Sequence, residues 1–296
     1  MKKVFLFIAL CMASVSAHAL QIIEATIDGI AYDLNPNNYE AEVRWLDGYT
    51  GTDVVIPDAV NYTGGGKGSG TEPDPHLGTY TVTSIGRAFY LNSELTSIII
   101  SKNVRELEEN AFYYCENLKS ITFAADSRLT KIGKTAFYNC NKLKNIVNLP
   151  SGITTIEDHA FEGCKVLESI NIPSGVTVIP EGLFSGCNAL NNVYIPGTVK
   201  TVSINAFANC TALTNVTLAE GITTLEGGCF YNCTSLEQVT IPASVTSMTG
   251  NPFSLCTSLT SITIAPGNTS YVVSDGVVFN TYRTQLVFCL VTKKGA

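Results

Sequence analysis

Charge is scarce in this sequence. Asp, Glu, Lys and Arg make up 15% of its 296 residues against 45% apolar, a balance that suits a large buried core and excludes a chain that is disordered throughout. Basic residues are the scarcer sign. With 18 Lys and Arg against 25 Asp and Glu the net charge is −7, which argues against nucleic acid or anionic lipid as a partner held by bulk charge. Histidine occurs three times, too few to furnish a zinc ligand set or a hydrolytic triad. No Cys-x-x-Cys pair and no Gly-x-Ser-x-Gly elbow occurs. The glycine-rich run Gly64 to Gly70 contains Gly66-Lys67, but a phosphate loop needs Gly at position 61 and Ser or Thr at 68, where this chain has Asn61 and Gly68. These gaps lead to an expectation of no cofactor, no metal and no nucleic acid.

Long apolar runs are also missing. Lys2-Lys3, the apolar stretch Val4 to Leu10 and the small residues ending in Ala17-His18-Ala19 have the three parts of a secretory signal peptide. The stretch is too short for a membrane span of ~20 residues. Cleavage is expected after Ala19, leaving a secreted or surface-exposed chain with no direct insertion in the membrane. Leu10 before Cys11 disfavours lipidation there.

What the sequence has is a repeat. Ala88-Phe89, Ala111-Phe112, Ala136-Phe137, Ala160-Phe161, Leu183-Phe184, Ala206-Phe207, Cys229-Phe230 and Pro252-Phe253 follow one another at 23 to 25 residues. Three residues after each Phe stands Cys115, Cys140, Cys164, Cys187, Cys210, Cys233 or Cys256, with Asn92 in the first copy, and three further on stands a Leu. Apolar and polar residues then alternate, as in Leu95-x-x-Ile98-x-Ile100 and Leu167-x-x-Ile170-x-Ile172, the pattern of a short strand with one buried face. Phe and Cys at i and i+3 suit about one packed helical turn. A lone copy buries too little to offset ~1–2 kcal/mol of backbone entropy for each ordered residue. The copies must stack as a solenoid with a parallel sheet along one side, eight turns spanning on the order of 40 Å.

The recurring pattern Val-Thr-x-Ile-x-x-x-Ala-Phe-x-x-Cys-x-x-Leu-x-x-Ile-x-Ile-Pro resembles the BspA-type leucine-rich repeats of bacterial surface proteins, over residues 82 to 264. The tail from Asn268 through Tyr271 and Asp275-Gly276 to Asn280 is similar to a hairpin unit found among such repeats. The resemblance implies an α/β leucine-rich-repeat solenoid, β-dominated and right-handed, with short helical turns, and a role in adhesion to host matrix proteins or to other cells.

The expected organisation is a signal peptide at 1–19, a β-rich cap at 20–81, the solenoid at 82–264 and a β-hairpin cap at 265–296. In the first cap, Ile27 to Leu34, Ala41 to Trp45 and Val54 to Pro57 read as strands, and Trp45 as core. This cap holds ten Asp or Glu against Arg44 and Lys67. Calcium binding there is conceivable, but without a recognised loop spacing a solvated face is the better reading. In the last cap, Val277 to Phe279 and Gln285 to Cys289 read as a hairpin, with polar Thr292-Lys293-Lys294 discouraging end-to-end stacking.

Cysteines on successive turns point the same way, about a strand spacing apart, where a disulfide prefers Cβ atoms ~3.8 Å apart. They read as a ladder of small buried groups. The solvent-facing strand positions are Ser97/Ile99, Ser120/Thr122, Ser169/Asn171, Asn192/Tyr194, Asn215/Thr217, Gln238/Thr240 and Ser261/Thr263. They are small, polar and uncharged, with Tyr194 as an aromatic anchor near the middle. Ser97, Ile99, Ser120, Thr122, Asn192, Tyr194, Asn215, Thr217, Gln238 and Thr240 are the candidate contacts for a host matrix or cell-surface protein, or alternatively for a glycan captured as nutrient. A polysaccharide-cleaving enzyme ranks below both, because these positions lack carboxylates. The chain is expected to be non-enzymatic.

Overall fold

The structure, a computed structural model, describes residues 22–44, 51–64 and 76–290. The leader, Trp45, Gly65 to Gly70, Pro73-Asp74-Pro75 and Thr292 to Lys294 lie outside the described residues.

The chain is a β-solenoid. Strands β1 (Ile23–Ile27), β2 (Ile30–Asn35) and β3 (Glu40–Arg44) form an antiparallel meander. The Ile27 to Leu34 stretch is therefore two strands, because Asp28 and Gly29 both take positive φ and turn the chain back on itself. After β4 (Asp53–Val55) and β5 (Ala59–Tyr62), β6 (Gly78–Ile85) pairs antiparallel with β5 and parallel with β3. From β6 onward each coil contributes to up to two ladders. The longer strands are β7 (Ser97–Ile100), β9 (Ser120–Phe123), β11 (Asn145–Val147), β14 (Asn192–Ile195), β16 (Asn215–Leu218), β18 (Gln238–Ile241) and β20 (Ser261–Ile264). Two-residue strands alternate with them: β8 (Glu106–Leu107), β10 (Lys131–Ile132), β12 (Thr155–Ile156), β13 (Val178–Ile179), β15 (Thr201–Val202), β17 (Thr224–Leu225) and β19 (Ser247–Met248). All pairs within the coils are parallel and in register. An antiparallel sheet of β21 (Tyr271–Ser274), β22 (Val277–Asn280) and β23 (Leu286–Cys289) follows, so the expected hairpin forms and gains a third strand.

The expected helical turns are not there: no helix occurs among the described residues, and the α/β description gives way to an all-β one. The physical reason lies in where the Ala-Phe N–H groups go. Phe112 N–H donates to the Ala136 carbonyl at 2.7 Å and Tyr114 N–H to Tyr138 at 2.7 Å, one coil further on. The same bonds recur from Phe137 to Ala160 and from Phe184 to Ala206. A helix would spend those donors on its own i−4 carbonyls. Two residues per coil in the left-handed region, such as Asn110 and Tyr114 or Asn205 and Asn209, turn successive peptides so that their donors face the next coil. This edge is a third, continuous ladder.

Inside it, the Phe rings from Phe89 to Phe253 form an unbroken stack with centroids 5.0 to 5.7 Å apart and planes within 23° of parallel. Each such contact adds ~0.5–1.5 kcal/mol to simple burial. Phe288 of β23 closes the stack at 5.7 Å with its ring tilted by 52°.

The cysteine column is buried and free of disulfides, but it is more than a row of apolar groups. Each Sγ–H donates to the Phe carbonyl of the preceding coil: Cys115 to Phe89 at 2.9 Å, Cys140 to Phe112 at 3.1 Å, and so on to Cys256 and Phe230 at 3.1 Å. Burial pushes the thiols of Cys140, Cys164, Cys187 and Cys210 well up, so they stay protonated and inert.

Both sheets are interrupted between the coil of β11 and β12 and that of β13 and β14. The expected strand through Ile170 does not form, and Ser169 and Asn171 lie on irregular backbone. The break follows the coil with one extra residue, where Asn148 takes φ of 58° and its side-chain amide reaches back to the Phe123 carbonyl at 3.4 Å. The Phe edge bridges the gap, with Phe161 N–H on Leu183 at 3.0 Å.

Two outcomes follow. Thiol titration of native protein should find Cys289 reactive and the eight buried cysteines silent until denaturant is added. Phe161→Ala should lose ~3–5 kcal/mol in urea unfolding, against less than ~0.5 kcal/mol for the exposed Ile204→Ala.

Candidate functional site

The long sheet presents its outward positions as two rows. Parallel pairing in register places Asp53, Ser97, Ser120 and Asn145 side by side, and beside them Val55, Ile99, Thr122 and Val147. The structure thus brings Ser97, Ile99, Ser120 and Thr122 together on one four-stranded sheet. On the far side of the interruption Asn192 and Asn215 are paired, as are Tyr194 and Thr217. Gln238 and Thr240 pair with Ser261 and Thr263 on β18 and β20. The ten expected positions therefore divide between an N-terminal patch and a C-terminal one, the latter made of two separate two-stranded sheets, β14–β16 and β18–β20.

The two patches differ in chemistry. In the first, Val55 is 62% exposed, Ile99 45% and Val147 42%, an apolar row one residue wide broken only by Thr122. The second is hydroxyl and amide apart from Tyr194, which is 58% exposed. The sequence reading missed Val55 and Val147. The signal was available for Val55, because Val54-Val55-Ile56-Pro57 ends in the same Ile-Pro as the strands before Pro196 and Pro242. That segment is a sheet strand of the first coil, lying inside the region assigned to the cap.

Asp53 was missed for the same reason. It heads the polar row, and its carboxylate accepts from Ser97 Oγ at 2.5 Å, Thr52 Oγ1 at 3.1 Å and Thr96 Oγ1 at 3.2 Å. These hydroxyls hold its pKa below the ordinary carboxylate range. Ser97 is consequently engaged within the molecule, and the row is not wholly uncharged.

Next to this surface, a cavity of about 500 Å³ is lined by Ile27, Asp28, Tyr32, Asp53, Val55 and Val60, among others. No group of three or more His, Cys, Asp or Glu that could hold a metal occurs among the described residues.

The acidic residues concentrate on the other sheet. Asp33, Glu42, Ser84, Glu106 and Lys131 follow one another in register across β2, β3, β6, β8 and β10. Arg44 binds Glu24 and Asp33 at 2.8 Å each, and Lys131 binds Glu106 at 2.6 Å and Glu157 at 3.2 Å. Glu42 makes no such ion pair among the described residues. Its carboxyl fills the space a Cβ of Gly86 would take. Burial first, then Glu108 and Asp33, push its pKa up to about 7 against the opposing pull of Arg44.

A β-solenoid whose coils pair in parallel with a repeat of 23 to 25 residues, one Leu per coil ahead of the long-strand position, a buried Phe at each turn and a buried Cys at every turn but the first, is a leucine-rich repeat protein. The profile of the BspA type Leucine rich repeat region matches it in six copies over residues 83–210 and 178–289. The chain belongs to that family. A leucine rich cell surface protein of Faecalibacterium prausnitzii is similar in structure, with a TM-score of 0.59 and 30% identity over 87% of this chain and 58% of that one. A leucine-rich repeat protein of Bacteroides ovatus (TM-score 0.50, 25% identity, 81% of this chain and 76% of that one) and the leucine rich repeat protein of T. pallidum (0.50, 26%, 77% and 87%) share the architecture. The chain spans little more than half the length of the F. prausnitzii protein. A search of curated proteins finds no match. BspA-type repeat proteins are bacterial surface proteins, consistent with a binding or adhesion role. No helix among the described residues is long and apolar enough to cross a membrane.

Because the folded state holds the Glu42 proton more tightly than the unfolded chain, this group favours folding below about pH 4.5 and opposes it increasingly as pH rises to about 7. Glu42→Gln should therefore leave stability nearly unchanged at about pH 4. At about pH 8 it should raise stability by ~1–2 kcal/mol, after solvent screening of the half-exposed group is allowed for. Urea titration at both pH values checks this.

Proposed function

We propose that this chain is a non-enzymatic, exported adhesin that holds a host matrix or cell-surface protein against the outer face of its long sheet. The observation that carries the reading is the in-register pair of rows: exposed Val55, Ile99 and Val147 beside hydroxyls and amides, on a rigid surface several strands wide. Apolar side chains fixed in place cost little entropy to engage. Neighbouring uncharged polar groups satisfy a partner's hydrogen bonds at small desolvation cost. Family membership and the F. prausnitzii cell surface protein support a surface-binding role. The leader ending at Ala19 supplies the route of export, and the segments 20–81, apart from the β4 strand that already belongs to the first coil, and 265–296 act as the caps of the stack.

A glycan ligand is the second reading, favoured by one feature: Tyr194, 58% exposed and flanked by Asn192, Asn215 and Thr217. Its ring can stack on a sugar while the amides bind hydroxyls.

Surface binding of the purified protein to immobilised fibronectin and fibrinogen, beside a glycan array, separates the two. Ile99→Ser should weaken a protein partner about tenfold, leaving a glycan unaffected. Tyr194→Ala with Asn192→Ala should abolish glycan binding. Turnover of any polysaccharide on a broad panel would overturn the non-enzymatic reading.

A further inference from the structure

The Phe edge carries a feature on its outside that neither the repeat pattern nor the sheet explains. In the first three coils the residue after the buried Phe is Tyr, and Tyr90, Tyr113 and Tyr138 stack with centroids 5.2 and 5.0 Å apart and planes within 11° of parallel. Tyr114 leans against Tyr113 and Tyr138 at 4.8 and 5.7 Å, and the Arg87 guanidinium sits 4.7 Å from the Tyr90 ring centre. In the fourth coil the same position is Glu162, held by His159 at 2.6 Å. The ring faces are consumed between coils, so the ladder offers edges and hydroxyls outward, a poor platform for stacking sugars but a good one for packing against other ring edges.

Three residues before the Phe stand Glu109, Lys134 and Asp158 in the second, third and fourth coils, with Arg87 two before it in the first and Glu162 one after it in the fourth, so the sign alternates over these four coils and ends there, Glu181 of the fifth coil repeating the sign of Asp158. Arg87, Glu109 and Lys134 are exposed and make no ion pair among the described residues. An order of plus, minus, plus, minus is self-complementary when reversed. A two-fold axis along the solenoid would set each charge against its like. An axis across it sets the first coil against the fourth of a second copy, and the second against the third. Every charge then meets its opposite, and Tyr113 meets Tyr138. The coil spacings match because both partners are the same ladder, as an isologous interface requires.

We propose that the tyrosine edge of the first four coils is a self-association surface, on which two copies of this chain pair antiparallel through interdigitated tyrosines and reciprocal Glu109–Lys134 and Arg87–Asp158/Glu162 ion pairs. The contact is salt-sensitive and leaves the long sheet outside the charge register.

The test is sedimentation equilibrium of the purified protein and of two single variants, Glu109→Lys and Lys134→Glu, with circular dichroism verifying that each is folded. The wild type is expected to show twice the chain mass at high concentration, and each variant to associate at least about tenfold more weakly, because each opposes like charges twice. Mixing the two variants should restore dimers, since the two introduced charges are of opposite sign and face each other across one contact, while the second contact keeps its native Glu109 and Lys134. A wild type that stays monomeric, single variants that dimerise undiminished, or a mixture that fails to recover would each overturn the proposal.

Discussion

The structure depends on a donor that cannot be satisfied within its own coil. At each Ala-Phe turn, N–H groups leave the coil and are met by carbonyls of the next, with the Phe ring packed between its neighbours and a thiol reaching back to the preceding coil. A coil taken alone would strand those polar groups, and a buried unpaired donor costs as much as several methyl groups contribute. Stacking is thus required by hydrogen bonding as well as by apolar burial. This also accounts for the continuity of the Phe edge where both sheets fail: pairing over a strand of two to four residues can be given up at smaller cost than the turn's donors and rings.

Most of the architecture was readable from the 23-residue period, because a repeat states its buried positions several times over. The Phe, Cys and Leu columns, the strand after every Leu but Leu167 and the hairpin at Val277 and Phe288 appear where alternation places them. What misled was local ambiguity. Phe and Cys three residues apart share a face in a helical turn and equally in a turn whose N–H groups point to another coil. Only the partner, one repeat away, tells them apart. The Asn and Gly residues flanking Ala-Phe, now seen in the left-handed region, were the available sign that a helix could not continue.

The candidate surface was legible in its composition and illegible in its limits. Alternation identified Ile99, Thr122 and Tyr194 as outward, but which outward residues become neighbours is a matter of register. Val55 joins Ile99 only because a strand from the presumed cap docks parallel to β7. The interruption at Ile170 likewise came from one extra residue near Asn148, a length change whose effect falls a coil later. The tyrosine edge escaped notice because the position after each Phe carries no constraint from the core, so nothing in the repeat pattern weights it.

The polarity of the turn ladder has a mechanical consequence. All its bonds run from one coil's N–H to the next coil's C=O, and each coil touches only its neighbours. A pull on the two ends of such a molecule does not load every bond at once. It works on the last coil, which peels away before the next is strained. Each coil that lets go frees roughly 23 residues, on the order of 75 Å of extended chain, while the remaining stack keeps its shape. A solenoid built this way lengthens in steps under tension and rewinds when the load falls.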